Sequence, residues 1–352
     1  MGLFASTFIN PALMEPTPLQ LLWFLLIGLL IAGYFILDGF DLGSGALYPF
    51  IAKSEHEKAL VRRSVGPFWD GNEVWLLTGG GALFAAFAPA YATSFSGFYL
   101  AIMLVLFGLI ARAISVEFRS ISKQLPRFFD GAFFIGSALP ALLFGVAIGN
   151  VIQGLPLNAL GDYTGLPLVG LLRPFPLACG LLGLSVMLLQ GASWQALKQP
   201  IGSDVQQRAA KLRVPLVLTV VVLFVLSTVL YFLICQPSLG FGFQEILRYA
   251  GVVVVVLAVV LAYVLKEKDL LSFLSASLIP VGLIVLTAAS LYPYLIPSTG
   301  PGASITVASA GGSDLALTAM TIIACIGVPL VLIYHVIIYR TFRGRLKDED
   351  VF

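Results

Sequence analysis

LQLLWFLLIGLLIAGYFILDGFDLGSGALYPFIA, residues 19–52, is an apolar run whose only charges are Asp38 and Asp41, both in its second half. About 20 apolar residues suffice to cross the hydrocarbon core of a bilayer. This run therefore predicts a membrane-crossing helix with length to spare, tilted or projecting past the membrane. Composition agrees: hydrophobic residues make up 59% of the chain and charged residues 11%, with a mean hydropathy of +0.98. A soluble domain carries about 25% charge, so the chain reads as an all-α polytopic integral membrane protein. The net charge of +2 is too small to imply a nucleic-acid partner.

Further runs of spanning length lie at about 68–91, 95–118, 130–153, 174–197, 214–235, 245–265, 270–296 and 315–340. They bring the expected count to nine helices. The chain then divides into an N-terminal external or interfacial segment at 1–18, with Pro11, Pro16 and Pro18, a helical domain at 19–340, and a tail at 341–352. Two four-helix sets plus one extra helix would fit the count, although no residue-level repeat supports a duplication.

The basic residues test the count, because short loops on the cytoplasmic side of a membrane protein are enriched in Lys and Arg. Lys53, Lys58, Arg62 and Arg63 follow the first helix; Arg119, Lys123 and Arg127 the third; Lys198, Arg208, Lys211 and Arg213 the fifth; Lys266 and Lys268 the seventh; Arg340, Arg343, Arg345 and Lys347 the ninth. These are all but three of the 20 basic residues, and the first 52 residues hold none. The alternation predicts an external N-terminus and a cytoplasmic tail. The connections assigned outside, such as GDYTGLPLVG (161–170) and PSTGPGASITVASAGGSD (297–314), are rich in Gly, Pro, Ser and Thr. The N-terminus lacks the basic region and short apolar core of a cleaved signal peptide.

GPFWDGNEVW, residues 66–75, sets Asp70 and Glu73 between Trp69 and Trp75 at the start of the second helix. Ionisable groups inside a bilayer are costly and commonly mark a proton or ion route. With alternating helix directions, Asp38, Asp41, Asp70 and Glu117 all fall in the inner half, where one pocket could hold them. Asp38 and Asp41 are three residues apart, as are Asp70 and Glu73, so each pair can share a helix face. Arg112 and Glu117 are five apart, about 140° around the helix, so each is expected to find partners on neighbouring helices. Arg112 is a candidate counter-ion for Asp70. A plainer reading stands beside this one: Pro67 suits a helix start, so Asp70 and Glu73 could complement the helix dipole. In the same way, Asp41 could cap a local turn, and the two tryptophans could belong to an interfacial belt.

Gly79, Gly80 and Gly81 read as a close-packing site. Cys179, Cys235 and Cys325 have no metal-like spacing and read as small core residues. His56 lies in a charged loop, and His335 reads as a hydrogen-bonded core residue. An axial haem ligand would be sought among His, Met and Cys, and the chain offers few such candidates and no paired set; no metal site is expected.

DGFDLGSGAL (38–47), GPFWDGNEVWLLTGGGALFAAF (66–87), FSGFYLAIMLVL (95–106) and ARAISVEFRS (111–120) resemble subunit II of the cytochrome bd ubiquinol oxidase family. The likeness continues through GVAIGNVIQGLP (145–156), LYPYLIPS (291–298) and the last helix. It implies a respiratory quinol oxidase of the bacterial cytoplasmic membrane that reduces dioxygen to water and builds a proton gradient. It also implies that two b-type haems and one d-type haem, with the quinol-oxidising loop, reside in a partner subunit I. Small single-helix subunits, and a structural quinone or lipid in this subunit, are further implications. The positions matching the family's cytoplasmic proton route are Asp41, Trp69, Asp70, Trp75 and Glu117, with Arg112 nearby. Glu117 stands where family members often carry Asp. Without the resemblance, a stand-alone proton-coupled secondary transporter would fit the inward acids as well.

Overall fold

The computed structural model describes residues 15–119, 121, 124–237, 240–347 and 349. Most of the expected N-terminal interfacial segment, together with Lys123 and tail residues 348 and 350–352, lies outside the described residues. The chain folds as α1 (Pro18–Leu37), α2 (Gly39–Ile51), α3 (Glu55–Val65), α4 (Trp69–Ala86), α5 (Ala88–Gly97), α6 (Tyr99–Phe118) and α7 (Pro126–Gln153). It continues as α8 (Pro174–Lys198), α9 (Asp204–Ile234), α10 (Phe243–Val264) and α11 (Asp269–Leu291). A two-stranded antiparallel ribbon, β1 (Tyr294–Ile296) and β2 (Ile305–Thr306), and the single turn α12 (Val307–Ala310) lead into α13 (Asp314–Thr341).

Local sequence sets the helix starts. Thr17 and Gln20 form a reciprocal capping box with Pro18 in the first turn of α1, Ser54 and Glu57 do the same for α3, and Ser203 and Ser313 cap α9 and α13. Each cap satisfies amide groups that a helix start leaves without partners. Proline opens α7 and α8, where its missing N–H costs nothing.

Among the described residues, eight helical segments are long and apolar enough to cross a membrane, with α1 and α2 counting as one 34-residue span. The expected ninth is α4, which falls short because Asp70, Asn72 and Glu73 crowd its first turns. It nonetheless traverses the bundle. Trp69 at its start meets Glu117 at the end of α6, while Thr93 of α5 bonds the Gly161 carbonyl at the opposite end. The single helix expected at 68–91 is in fact broken at Phe87, because Pro89 lacks an N–H and its ring would clash with the carbonyl four residues back.

Among the described residues the helices thus run between two ends, one carrying α3 and the basic loops, the other carrying the β-ribbon and the Gly/Pro-rich connections. Helix α2 lies against α7 and α8, and α8 also packs on α9 and α11. Gly43 and Gly191 let α2 and α8 meet backbone to backbone, since a Cβ on either would overlap the facing main chain. Such small-residue contacts are how helices associate in lipid. The Gly79–Gly81 run departs from its expected role: Gly79 faces α1 at ordinary distance, whereas Gly80 and Gly81 face open surface. Cys179 and Cys235 are half-buried, but Cys325 is exposed on α13 and is no core residue. α13 is the least embedded span, with Leu317 and His335 its only buried residues.

Candidate functional site

The break between α1 and α2 puts Asp38 and Asp41 in the middle of the bundle, both fully buried. Arg112 of α6 reaches them from a stripe of small and apolar residues, Ala101, Val105, Gly108 and Ser115, that faces inward. Its Nη1 donates to Asp38 Oδ1 at 2.6 Å and its Nη2 to Glu73 Oε1 at 2.5 Å. The expected pairing of Arg112 with Asp70 is therefore corrected. Glu73, one turn further along α4, points inward to the guanidinium, whereas Asp70 lies on the exposed face of that helix.

Asp41 is held from α4 as well. Asn72 Nδ2 donates to Asp41 Oδ2 at 2.7 Å and to the Leu37 carbonyl at 2.9 Å, and Tyr339 of α13 donates to Asn72 Oδ1 at 3.4 Å. With donor and acceptor sides both engaged, the Asn72 amide has one orientation. Asp41 thus serves as more than a turn cap.

Trp75 is buried against α1, where Gly33 leaves room for its indole, and Nε1 donates to His335 Nε2 at 3.3 Å. That leaves His335 Nδ1 to donate to the Val331 carbonyl at 2.8 Å. Both ring nitrogens are engaged, so this imidazole does not fit an axial haem ligand. Among the described residues no group of three or more His, Cys, Asp or Glu could hold a metal ion.

The exposed face of α4 carries the rest. Trp69 is half-buried and donates to Glu117 Oε1 at 3.3 Å; Asp70 and Glu117 are exposed. The same helix stripes carry Val74, Leu77 and Phe84 of α4 and Phe107, Ile110 and Ile114 of α6, all exposed in the isolated chain. Phe68 anchors the start of α4 within a ring cluster of Phe40, Trp194 and Tyr339. Asp70 falls in the first turn, where the helix dipole favours a carboxylate. The structure thus separates the sequence-selected residues into two layers: Asp41, Trp75 and Arg112 inside, and Trp69, Asp70 and Glu117 on the surface.

At the basic end, α3 is clamped by ion pairs. Lys58 bonds Glu55 at 3.0 Å and Asp130 at 2.8 Å, and Arg119 bonds Asp130 at 3.0 Å and also Glu55. The hydrogen bond from Lys58 holds the Glu55 carboxyl below its ordinary range, and the hydrogen bond to Asp130 holds the Lys58 ammonium above its own. The tail is strapped down too: Lys198 bonds the Phe342 and Gly344 carbonyls at 2.6 and 2.7 Å, and Arg345 bonds the Ala196 carbonyl at 2.7 Å and pairs with Asp269. Asp130, Asn72, His335 and Tyr339 were not singled out as site residues from sequence. Only Asn72, inside WDGN, carried a local cue.

Residues 19–342 match the family model for cytochrome bd terminal oxidase subunit II. The chain belongs to that family. It is 33% identical to cytochrome bd-I ubiquinol oxidase subunit 2 of Escherichia coli K12, covering 95% of this chain and 96% of that one. It is 35% identical to the probable cytochrome oxidase subunit 2 of Haemophilus influenzae, again over 95% and 96%. With cytochrome bd ubiquinol oxidase subunit 2 of Bacillus subtilis the figures are 33% identity over 94% and 97%. A chain in the structure of bd oxidase from Geobacillus thermodenitrificans shares the fold, with a TM-score of 0.76 at 17% identity, over 93% of this chain and 99% of that one. As a subunit II of this family the chain implies a subunit I, and a stand-alone transporter is no longer favoured.

Proposed function

We propose that this chain, within a quinol oxidase of a bacterial cytoplasmic membrane, supports the haem-bearing subunit I and carries protons toward it from the cytoplasm. The alternation of the basic loops supports an orientation with the basic end in the cytoplasm and the N-terminus outside. The three haems belong to subunit I, where they supply the oxygen chemistry, and quinol is the substrate of the complex. The residues of this chain bind, orient and pass protons.

The observation that carries this reading is that Asp70 and Glu117 are both exposed at the basic end of an otherwise apolar face, with the Trp69 indole donating to Glu117. Carboxylates isolated in an apolar surface are expensive unless a partner or water meets them. Subunit I covering this face would enclose them as a route. In it Asp70 is the relay, Glu117 the next carrier, and Trp69 the group that fixes Glu117. Behind them Asp41, on Asn72, and Arg112 set the charge that the relay feels, while Trp75 holds α4 against α1. A structural quinone or lipid would suit the apolar cavity between α7, α8, α9, α10 and α11, lined by Phe35, Cys179, Tyr231, Arg248 and Thr287. Small single-helix subunits would find room on the exposed outer helices.

Asp70→Asn in the co-expressed complex tests the reading. Haem content and assembly should be retained, while quinol-driven oxygen uptake per haem falls by about 10²-fold, the scale of general acid–base contributions. A fully active Asp70→Asn complex would remove Asp70 from the route, since asparagine near the helix start would serve a purely local role almost as well.

A further inference from the structure

Two side-chain bridges join α4 to α6. At the basic end the Trp69 indole donates to Glu117 Oε1 at 3.3 Å; four residues further along α4, Glu73 Oε1 accepts from Arg112 Nη2 at 2.5 Å. Four residues advance a helix by about 6 Å, a little over one turn, and residues i and i+4 are neighbours on its surface. The bridges are therefore successive rungs on one side of α4. They follow in the matching order on α6, which runs toward the basic end and reaches Arg112 before Glu117. Trp69 and Glu73 are both half-buried, on a flank between the exposed stripe of Asp70, Val74 and Leu77 and the buried stripe of Asn72, Trp75 and Gly79.

Of the two acids bonded to Arg112, Glu73 alone reaches the surface: its side chain is 23% exposed, against 0% for Asp38. Charge permits Glu73 a role that Asp38 lacks. A buried guanidinium deprived of every carboxylate is strongly destabilising, but Arg112 holds Asp38 with its other terminal nitrogen, Nη1, at 2.6 Å. Glu73 can thus become neutral and let go while Arg112 stays compensated. Its carboxyl also stands on the flank that borders Asp70, one rung deeper than Glu117.

We infer that Glu73 is a further proton carrier, taking protons from Glu117 and passing them toward subunit I. The step moves a proton and nothing else. The Glu117 carboxyl gives its proton, across water between the rungs, to the Glu73 carboxylate; Glu117 becomes a carboxylate, and Glu73 becomes a neutral acid that releases Arg112. Passing the proton onward restores the Glu73 carboxylate and its bond to the guanidinium. This rests on the reading that the subunit carries protons, and adds to it the group that couples the surface carboxylates to the buried Arg112–Asp38 pair.

The test follows proton uptake by the co-expressed complex, reduced and then mixed with dioxygen, with a pH-indicating dye in weak buffer. Glu73→Gln keeps an oxygen for Arg112 but cannot carry a proton. Assembly, haem content and Tm should match the parent, while uptake slows by about 10²-fold. Glu73→Asp, which keeps the carboxyl, should recover most of the rate. In the parent complex, dicyclohexylcarbodiimide, which requires a protonated carboxyl, should label Glu73 during turnover and not at rest, as read by mass spectrometry of the peptide; this measurement decides if Glu73→Gln does not assemble. Uptake at the parent rate in Glu73→Gln, an equal loss in Glu73→Gln and Glu73→Asp, or no label on Glu73 during turnover overturns the inference. Asp70→Asn separates it from the reading beneath it: a fully active Asp70→Asn beside a slow Glu73→Gln removes Asp70 and keeps Glu73, and the reverse removes Glu73 alone.

Discussion

Arg112 and Asp38 form an ion pair at 2.6 Å with side chains 1% and 0% exposed, joining α6 to the break between α1 and α2. Breaking a buried pair from one side leaves the other charge uncompensated, which costs about 3–5 kcal/mol. Arg112→Gln should therefore lower the stability of the complex by that amount, seen as reduced yield and a lower Tm in detergent. Combining it with Asp38→Asn should recover part of the loss. An Arg112→Gln complex as stable as the parent would mean that the pair is not what holds this junction.

The bond between Trp69 and Glu117 separates position from chemistry. Trp69→Phe keeps the ring and removes the N–H, a change worth about 0.5–1.5 kcal/mol, so oxygen uptake per haem should fall a few-fold. Glu117→Gln removes the proton carrier and should cost about 10²-fold. Equal activity in the two variants would refute this division of roles.

His335→Phe deprives the buried Trp75 indole of its acceptor, and an unsatisfied buried donor costs about 1–3 kcal/mol. The complex should lose thermal stability by that scale while its haem spectrum stays unchanged. Loss of one haem per complex in this variant would reassign His335 as a ligand.

The clamp on α3 should give a pH window. The carboxyl of Glu55 lies below its ordinary 4.5, so its contribution is present above that value and is lost as pH falls through the lowered one. The ammonium of Lys58 lies above its ordinary 10.5, so its contribution is present below that value and is lost as pH rises through the raised one. Both groups touch water, so the effect is local. A spin label at Arg63→Cys in a cysteine-depleted chain should stay immobile from about pH 5 to 10 and loosen on either side. Mobility unchanged down to pH 3 would show that hydrophobic contacts alone hold α3.

The helical passes, their alternation and the acid-bearing stretch were legible because each is written locally, as an apolar run, a cluster of Lys and Arg, or the WDGN motif. Azimuth was not. Asp70 and Glu73 are three residues apart, yet one faces out and the other meets Arg112, because α4 is covered, chiefly by α1, on only part of its circumference. The inward stripe of α6, with Gly108 and Ser115 flanking Arg112, did hint that this arginine points to the core and away from Asp70. The break at Phe87 was also readable from Pro89, but apolarity on both sides hid it. Nothing local announced that Tyr339 would secure Asn72.

The hydrogen bonds that attach α13 join residues far apart in the chain: Trp23 to Leu317 spans 294 positions, Trp75 to His335 spans 260, and Tyr339 to Asn72 spans 267. In order of synthesis, the indoles of α1 and α4 enter the membrane long before their acceptors are made, and they wait through the insertion of α6 to α11. Contacts of such separation form late, after the local ones have closed. The seating of α13 thus comes after that of α1 and α4, and Asn72 takes its fixed orientation beside Asp41 only once α13 is in place.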